Sequence, residues 1–229
     1  MVPMLTGSDR CLGIYCQNGV LHMAVNYQLE MERVLRREAG RTPRLLLHCC
    51  CAPCSSFVLE SLAPHFAITA HYYNPNIDSA EEYTHRAKEL QRLAREMPLA
   101  NAVCVTVDPY APAEFYDAVR GMEAIPEGGE RCRACYRLRL ARAAQAAAAG
   151  KYDYFTTTLS ISPHKNAAWL NEIGEACARE YGVRWLPSDF KKKDGFKRST
   201  VLSAQYGLYR QDYCGCVFSR REAQARGNP

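Results

Sequence analysis

Three groups of cysteines carry the most chemistry in this sequence: Cys50-Cys51-Ala52-Pro53-Cys54, Cys132-Arg133-Ala134-Cys135 and Cys214-Gly215-Cys216. A CxxC spacing brings two thiolates to one centre, and thiolate is the form that binds metal. Seven thiols exceed the four that one zinc ion or one cubane cluster takes. The surplus implies either two metal centres or a cluster with a reactive thiol beside it. Twelve cysteines in 229 residues calls for disulfides outside the cell or metal inside it. The run Cys49–Cys51 concentrates thiols more than a disulfide framework does. The first residues show no basic segment leading into a clean apolar run, so a secretory signal is not expected. Metal in a cytoplasmic protein is the expectation. The plainer alternative is a structural zinc site with spectator thiols. Cys104 and Cys177 read as core residues within a strand and a helix.

Two further stretches accompany the thiols. Thr156–Asn166 is rich in hydroxyls and ends in His164, Lys165 and Asn166, so it can bind a polar ligand or simply cap a helix through Ser162 before Pro163. Asp189–Arg198 interleaves Lys191, Lys192, Lys193, Lys197 and Arg198 with Phe190 and Phe196. Such a run either follows a nucleic-acid backbone or forms a solvated loop. The net charge of +5 permits a phosphate-rich partner without requiring one. His48, His164 and Asp189 are the proton-carrying candidates by position. No GxxxxGK[ST] loop or glycine-rich nucleotide fingerprint follows the first strand of the fold, which argues against ATP-driven chemistry. No segment is apolar enough over sufficient length to span a bilayer.

These residues need a scaffold, and the pattern supplies one. Short apolar runs at Arg44–His48, Ala67–Tyr73, Ala102–Val107, Tyr152–Thr157 and Val183–Leu186 read as strands. Helices are expected over Ser55–Leu62, from a cap at Asp78 to about Glu96, from Pro112 to Gly121, from Arg131 to Gly150 and over His164–Tyr181. After Asp189 the chain is basic, then helical around Val201–Tyr206, then turns through the CGC pair. Alternating strands and helices predict an α/β fold with a mainly parallel sheet of about five strands flanked by helices. Residues 1–25 read as an N-terminal extension carrying Cys11 and Cys16, and 26–229 as one catalytic domain ending in a metal-binding segment. In such sheets ligands gather beyond the carboxyl ends of the strands, where His48 and Cys49–Cys54 would lie.

From Asn26 to Glu222 the chain resembles the cobalamin-independent epoxyqueuosine reductases, the QueH family. The resemblance rests on LLLHCCCAPCSSFVLE (Leu45–Glu60), YYNPNI (Tyr72–Ile77), EGGERCRACYRLRL (Glu127–Leu140), TTTLSISPHKN (Thr156–Asn166), LPSDFKKKDGFKRS (Leu186–Ser199) and YGLYRQDYCGCVFS (Tyr206–Ser219). It implies a HUP/Rossmann-like fold and reduction of the epoxide of epoxyqueuosine to queuosine at the wobble base of tRNA with a GUN anticodon. It also implies a [4Fe–4S] cluster beside a second, mononuclear metal, taken as iron, with electrons from ferredoxin or flavodoxin. Carried over by position, the ligands are Cys50, Cys51, Cys54, Cys132, Cys135, Cys214 and Cys216. The expected division puts Cys51, Cys54, Cys132 and Cys135 on the cluster and the other three on the mononuclear metal. Cys49 is an additional thiol next to the shared pair. A zinc-containing RNA-binding module and a tRNA sulfur-transfer enzyme are the competing classes.

Overall fold

The computed structural model describes residues 14–17, 20–23 and 25–227. An antiparallel hairpin, β1 (Ile14–Gln17) with β2 (Val20–Met23), forms a two-stranded sheet of its own. Cys11 lies outside the described residues. The main body follows as α1 (Tyr27–Arg37), β3 (Arg44–His48), α2 (Ala52–Leu62), β4 (Ala67–Tyr72), α3 (Ala80–Glu96), β5 (Cys104–Val107), α4 (Pro112–Ala118) and α5 (Glu130–Ala149). It continues through β6 (Tyr154–Thr157), a 3-10 turn at Thr158–Ile161, α6 (Ala167–Tyr181), β7 (Arg184–Trp185), α7 (Gly195–Gln205) and α8 (Val217–Ala225).

The five strands β5-β4-β3-β6-β7 form one parallel sheet, as the alternating pattern predicts. β3 is central and buried on both faces, which is why it reads as an unbroken apolar run. Leu45 and Leu47 enter one core with Val58, Leu59, Leu62 and Phe66, whereas Leu46 enters the other with Leu140, Phe155, Leu170 and Trp185. The two-residue period of a strand thus feeds two helical layers. α2, α3 and α7 pack on one side, and α5 and α6 on the other. Small residues Ala143, Ala144 and Ala147 let α5 lie close against the sheet. A third cluster, Phe115, Val119, Cys135, Cys216 and Phe218, joins α4, α5 and α8.

The order of strands fixes where a ligand can sit. From β3 the chain moves outward to β4 and β5, and then returns to the other side of β3 for β6 and β7. Loops leaving neighbouring strands in opposite directions open a crevice between β3 and β6. Cys49–Cys51 and Thr158–Lys165 emerge there, and His48 stands opposite Thr157 in register. Among the described residues no helix is long and apolar enough to cross a membrane.

Several local expectations are corrected. α2 starts at Ala52 rather than Ser55, because Pro53 fits its first turn. Ser79, not Asp78, caps α3, its side chain accepting from the Glu82 amide at 3.1 Å. Asn166, not Ser162, caps α6, accepting from the Trp169 amide at 3.2 Å, and the hydroxyl-rich stretch instead forms the 3-10 turn. Cys104 is exposed, because β5 is an edge strand. Cys177 is buried as expected. α8 appears where only a turn was expected.

Gly174 in α6 faces the Trp185 ring, and a Cβ there would lie 2.3 Å from a ring carbon. Gly174→Ala therefore overpacks this interface and should cost about 1–3 kcal/mol in urea unfolding.

Candidate metal centre

All three cysteine groups stand at helix N-termini. Cys51 is the N-cap of α2 and Cys54 lies in its first turn, Cys132 falls in the first turn of α5, and Cys216 caps α8 by accepting from the Ser219 amide at 3.4 Å. Free amides and the positive ends of helix dipoles favour anions at such places. The sulfurs of Cys50, Cys51 and Cys54 lie within 4.8 Å of one another. Cys50, Cys51, Cys54 and Cys214 line a cavity of about 420 Å³. Cys132, Cys135, Cys214 and Cys216 line a second of about 20 Å³. Cys214 and Glu127 border both. The structure therefore places all seven thiols on two cavities that share Cys214. It groups them in space as three and four joined by Cys214, whereas the division expected for the cluster takes two from each group.

The CGC turn is held from several sides. Gly215 has φ +117°, and a Cβ there would lie 3.0 Å from Arg86 Nη1 and 3.3 Å from Ile77. This is a position that favours glycine on both counts. Its carbonyl accepts from the Asp78 amide at 3.0 Å, and Ser219 Oγ accepts from the Cys214 amide at 3.1 Å. Buried Arg86 reaches the Cys214 carbonyl at 3.4 Å while pairing with Glu82 at 2.6 Å. On α5, buried Arg131 pairs with Glu222 of α8 at 3.0 Å, which fastens the CxxC helix to the CGC helix.

A buried cation lies among the thiols. Arg139 is 2% exposed, donates to Asn74 Oδ1, and borders the larger cavity. Asn74 in turn donates to the Cys49 carbonyl at 3.0 Å. Asn74 thereby connects the loop after β3 to α5. Arg131, Arg133 and Arg137, close to the CxxC in sequence, are engaged with Glu222, with Glu130 and Glu172, and with Glu180. Cys132, Cys135 and Arg139 share one helix face by their spacing of three and four, a signal present in the sequence. Lys165, half-buried, borders the larger cavity as well.

The thiols titrate as a crowd. Hydrogen bonds from Cys51 and Cys54 hold the Cys50 thiol well below its ordinary range, outweighing burial, with Arg139 and Lys165 adding to the effect. Cys51, donating to Cys50, is pushed up to about 12, and Cys54 rises for the same reason. Burial raises Cys135 to about 11 and Cys216 to about 12. Ionising several of these thiols at once therefore requires a strong positive charge among them. A metal provides it, since coordination deprotonates thiols outright. Asn76 and Arg139, whose buried Oδ1 and Nε find no hydrogen-bond partner among the described residues, also border these cavities. The donor set fits a thiolate-ligated metal centre.

The remaining site candidates separate. His164 is exposed and lines the larger cavity. His48 is fully buried away from the cavity lining, with Nδ1 2.8 Å from Thr157 Oγ1 and Nε2 3.1 Å from the Tyr73 carbonyl. Burial, with Arg139 nearby, lowers its pKa to about 3, so it stays neutral and ties strands together. Asp189 pairs with Lys191 at 2.9 Å outside the cavity lining. Lys193 pairs with Glu32, and Arg198 makes two bonds to Glu60 at 2.9 and 2.6 Å. Lys192 and Lys197 are exposed and take part in no ion pair among the described residues.

Known proteins are similar to this chain in sequence. The family model described as epoxyqueuosine reductase QueH matches residues 45–222. Proteins named epoxyqueuosine reductase QueH include one from Streptococcus pyogenes serotype M1, 42% identical over 194 residues, covering 84% of this chain and 76% of the relative. Another from Staphylococcus epidermidis is 38% identical over 212 residues, covering 88% and 89%. A third from Thermotoga maritima is 35% identical over 187 residues, covering 79% and 94%.

The Arg139–Asn74 contact predicts an ordering of stabilities in metal-free protein. Asn74→Ala leaves a buried guanidinium short of an acceptor and should cost about 3 kcal/mol. Arg139→Met leaves only a neutral acceptor unpaired and should cost about 1–2 kcal/mol. Urea unfolding of both variants checks the order.

Proposed function

The chain belongs to the epoxyqueuosine reductase QueH family, and from that premise we propose that it reduces epoxyqueuosine in tRNA to queuosine at a thiolate-held metal site. The proposed substrate is tRNA with a GUN anticodon. The observation that carries this reading is the convergence of seven thiols at the crevice between β3 and β6. In the overall reaction two electrons and two protons enter, both epoxide C–O bonds break, an alkene forms, and the oxygen leaves as water.

Cys50, Cys51, Cys54, Cys132, Cys135, Cys214 and Cys216 are the proposed ligands of a [4Fe–4S] cluster and an adjacent iron. When bound, the cluster would supply electrons singly, and the second metal would supply Lewis-acid polarisation of the epoxide oxygen. Ferredoxin or flavodoxin is the proposed external donor. Arg139 and Lys165 place positive charge beside the thiolates and help keep an electron-rich centre buried. His164, at the lining of the larger cavity, is the proposed proton donor to the departing oxygen, while His48 and Asp189 act structurally.

The test is reduction of epoxyqueuosine-containing tRNA, read by nucleoside mass spectrometry. Cys132→Ser should abolish turnover together with bound iron, and an active, fully loaded variant would defeat the ligand assignment. His164→Gln should lower kcat about 100-fold while leaving iron content unchanged. Wild-type rates in that variant would remove His164 from the reaction.

A further inference from the structure

Two phenylalanines lie six residues apart in the basic segment, and the fold treats them oppositely. Phe190 is 1% exposed within the core, whereas Phe196 is 40% exposed and lines the same cavity as Cys50, Cys51, Cys54 and Cys214. We infer that Phe196 is a stacking platform for an unpaired nucleobase at the mouth of the thiol cavity, with Lys192 and Lys197 receiving the neighbouring phosphates. The inference deepens the proposed tRNA reading and rests on it.

The backbone fixes the ring where it is. Lys193 and Asp194 both adopt left-handed conformations, with φ +52° and +60°, an uncommon choice for two successive residues other than glycine. Gly195 then packs so tightly that a Cβ would fall 1.9 Å from the Phe190 carbonyl and 2.5 Å from the Phe57 ring. The Phe196 carbonyl accepts from Ser199 Oγ at 2.6 Å and from Thr200 Oγ1 at 3.2 Å. The turn that buries Phe190 thus delivers Phe196 to the rim with its main chain anchored. The exposed part of the ring is apolar surface that a base stacked on it would remove from water.

The charges select the ligand. Lys191, Lys193 and Arg198 are taken up by Asp189, Glu32 and Glu60. Lys192 and Lys197 flank Phe196 in sequence and have no acidic partner among the described residues. Arg210 and Arg226 stand on the cavity lining too. Asp212, Glu127 and Glu222 are the acids there, and Glu222 is already paired with Arg131. A flat ring joined to anionic linkages satisfies both features, and an unpaired RNA loop presents that combination. Stacking also explains how a base can be presented beside the thiols without a duplex being entered.

The experiment is equilibrium binding of a short RNA hairpin with 2-aminopurine in its unpaired loop, across a series of KCl concentrations. It reads binding and not turnover in the protein as purified, so it stands apart from the redox chemistry. Wild-type protein should quench the fluorophore on binding. F196A should bind about tenfold more weakly, lose the quench and keep the salt slope. F196Y and F196W should retain affinity and quench. The K192A/K197A double variant should keep the quench while the slope of log K against log salt shrinks by about 1.4. The inference is overturned if F196A binds and quenches as wild type does, or if F196Y is as weak as F196A. An acidic protein docking here, in place of RNA, would give lysine dependence with no quench, which also overturns it. Absence of any RNA binding by wild type brings down both this inference and the tRNA reading.

Discussion

Burying many thiols side by side is the constraint on which the rest of this structure depends. Water is largely excluded from Cys51, Cys135 and Cys216, and burial opposes ionisation there. Three helix starts, one buried arginine and a half-buried lysine supply partial compensation. Cys50 is lowered chiefly by the hydrogen bonds that Cys51 and Cys54 give it, with these charges adding to the effect, and the two donors are raised in turn. A thiolate-seeking cation would complete a charge balance that the protein has only begun.

The scaffold serves that balance. The change of direction in the sheet at β3 opens the crevice, and the loops after β3 and β6 line it. The third and fourth contributions come from farther along the chain, through the starts of α5 and α8. Ties across these elements keep them in register: Asn74 to Arg139, Arg131 to Glu222, and Arg86 to the CGC turn. Each consists of a buried charge with a specific acceptor, so breaking one leaves an expensive orphan rather than a neutral gap. Such ties favour a fixed cysteine geometry over raw stability.

Much of this was legible in the sequence, and the limits have physical causes. The apolar run Leu45–Leu47 and the alternation of strands and helices marked the parallel sheet, because a central strand buried on both faces leaves an unmistakable pattern. The three cysteine groups marked the candidate metal site by type and spacing alone. The roles of the charged residues were less visible, since pairing depends on distant partners: Lys193 with Glu32 and Arg198 with Glu60 are contacts across long stretches of chain. The same applies to Arg139, whose neighbours Arg137 and Arg142 look alike in sequence but face other acids. α8 escaped notice because Cys214-Gly215-Cys216 reads as a turn, and a cysteine is a weak cap signal.

The central claim is that the converged thiols hold an iron–sulfur centre. Anaerobic iron and acid-labile sulfide analysis, with absorption spectra before and after dithionite, tests it most directly. The account predicts about four sulfides with four or five irons and a broad visible band that bleaches on reduction. Stoichiometric zinc without labile sulfide, in protein never exposed to air, would contradict it.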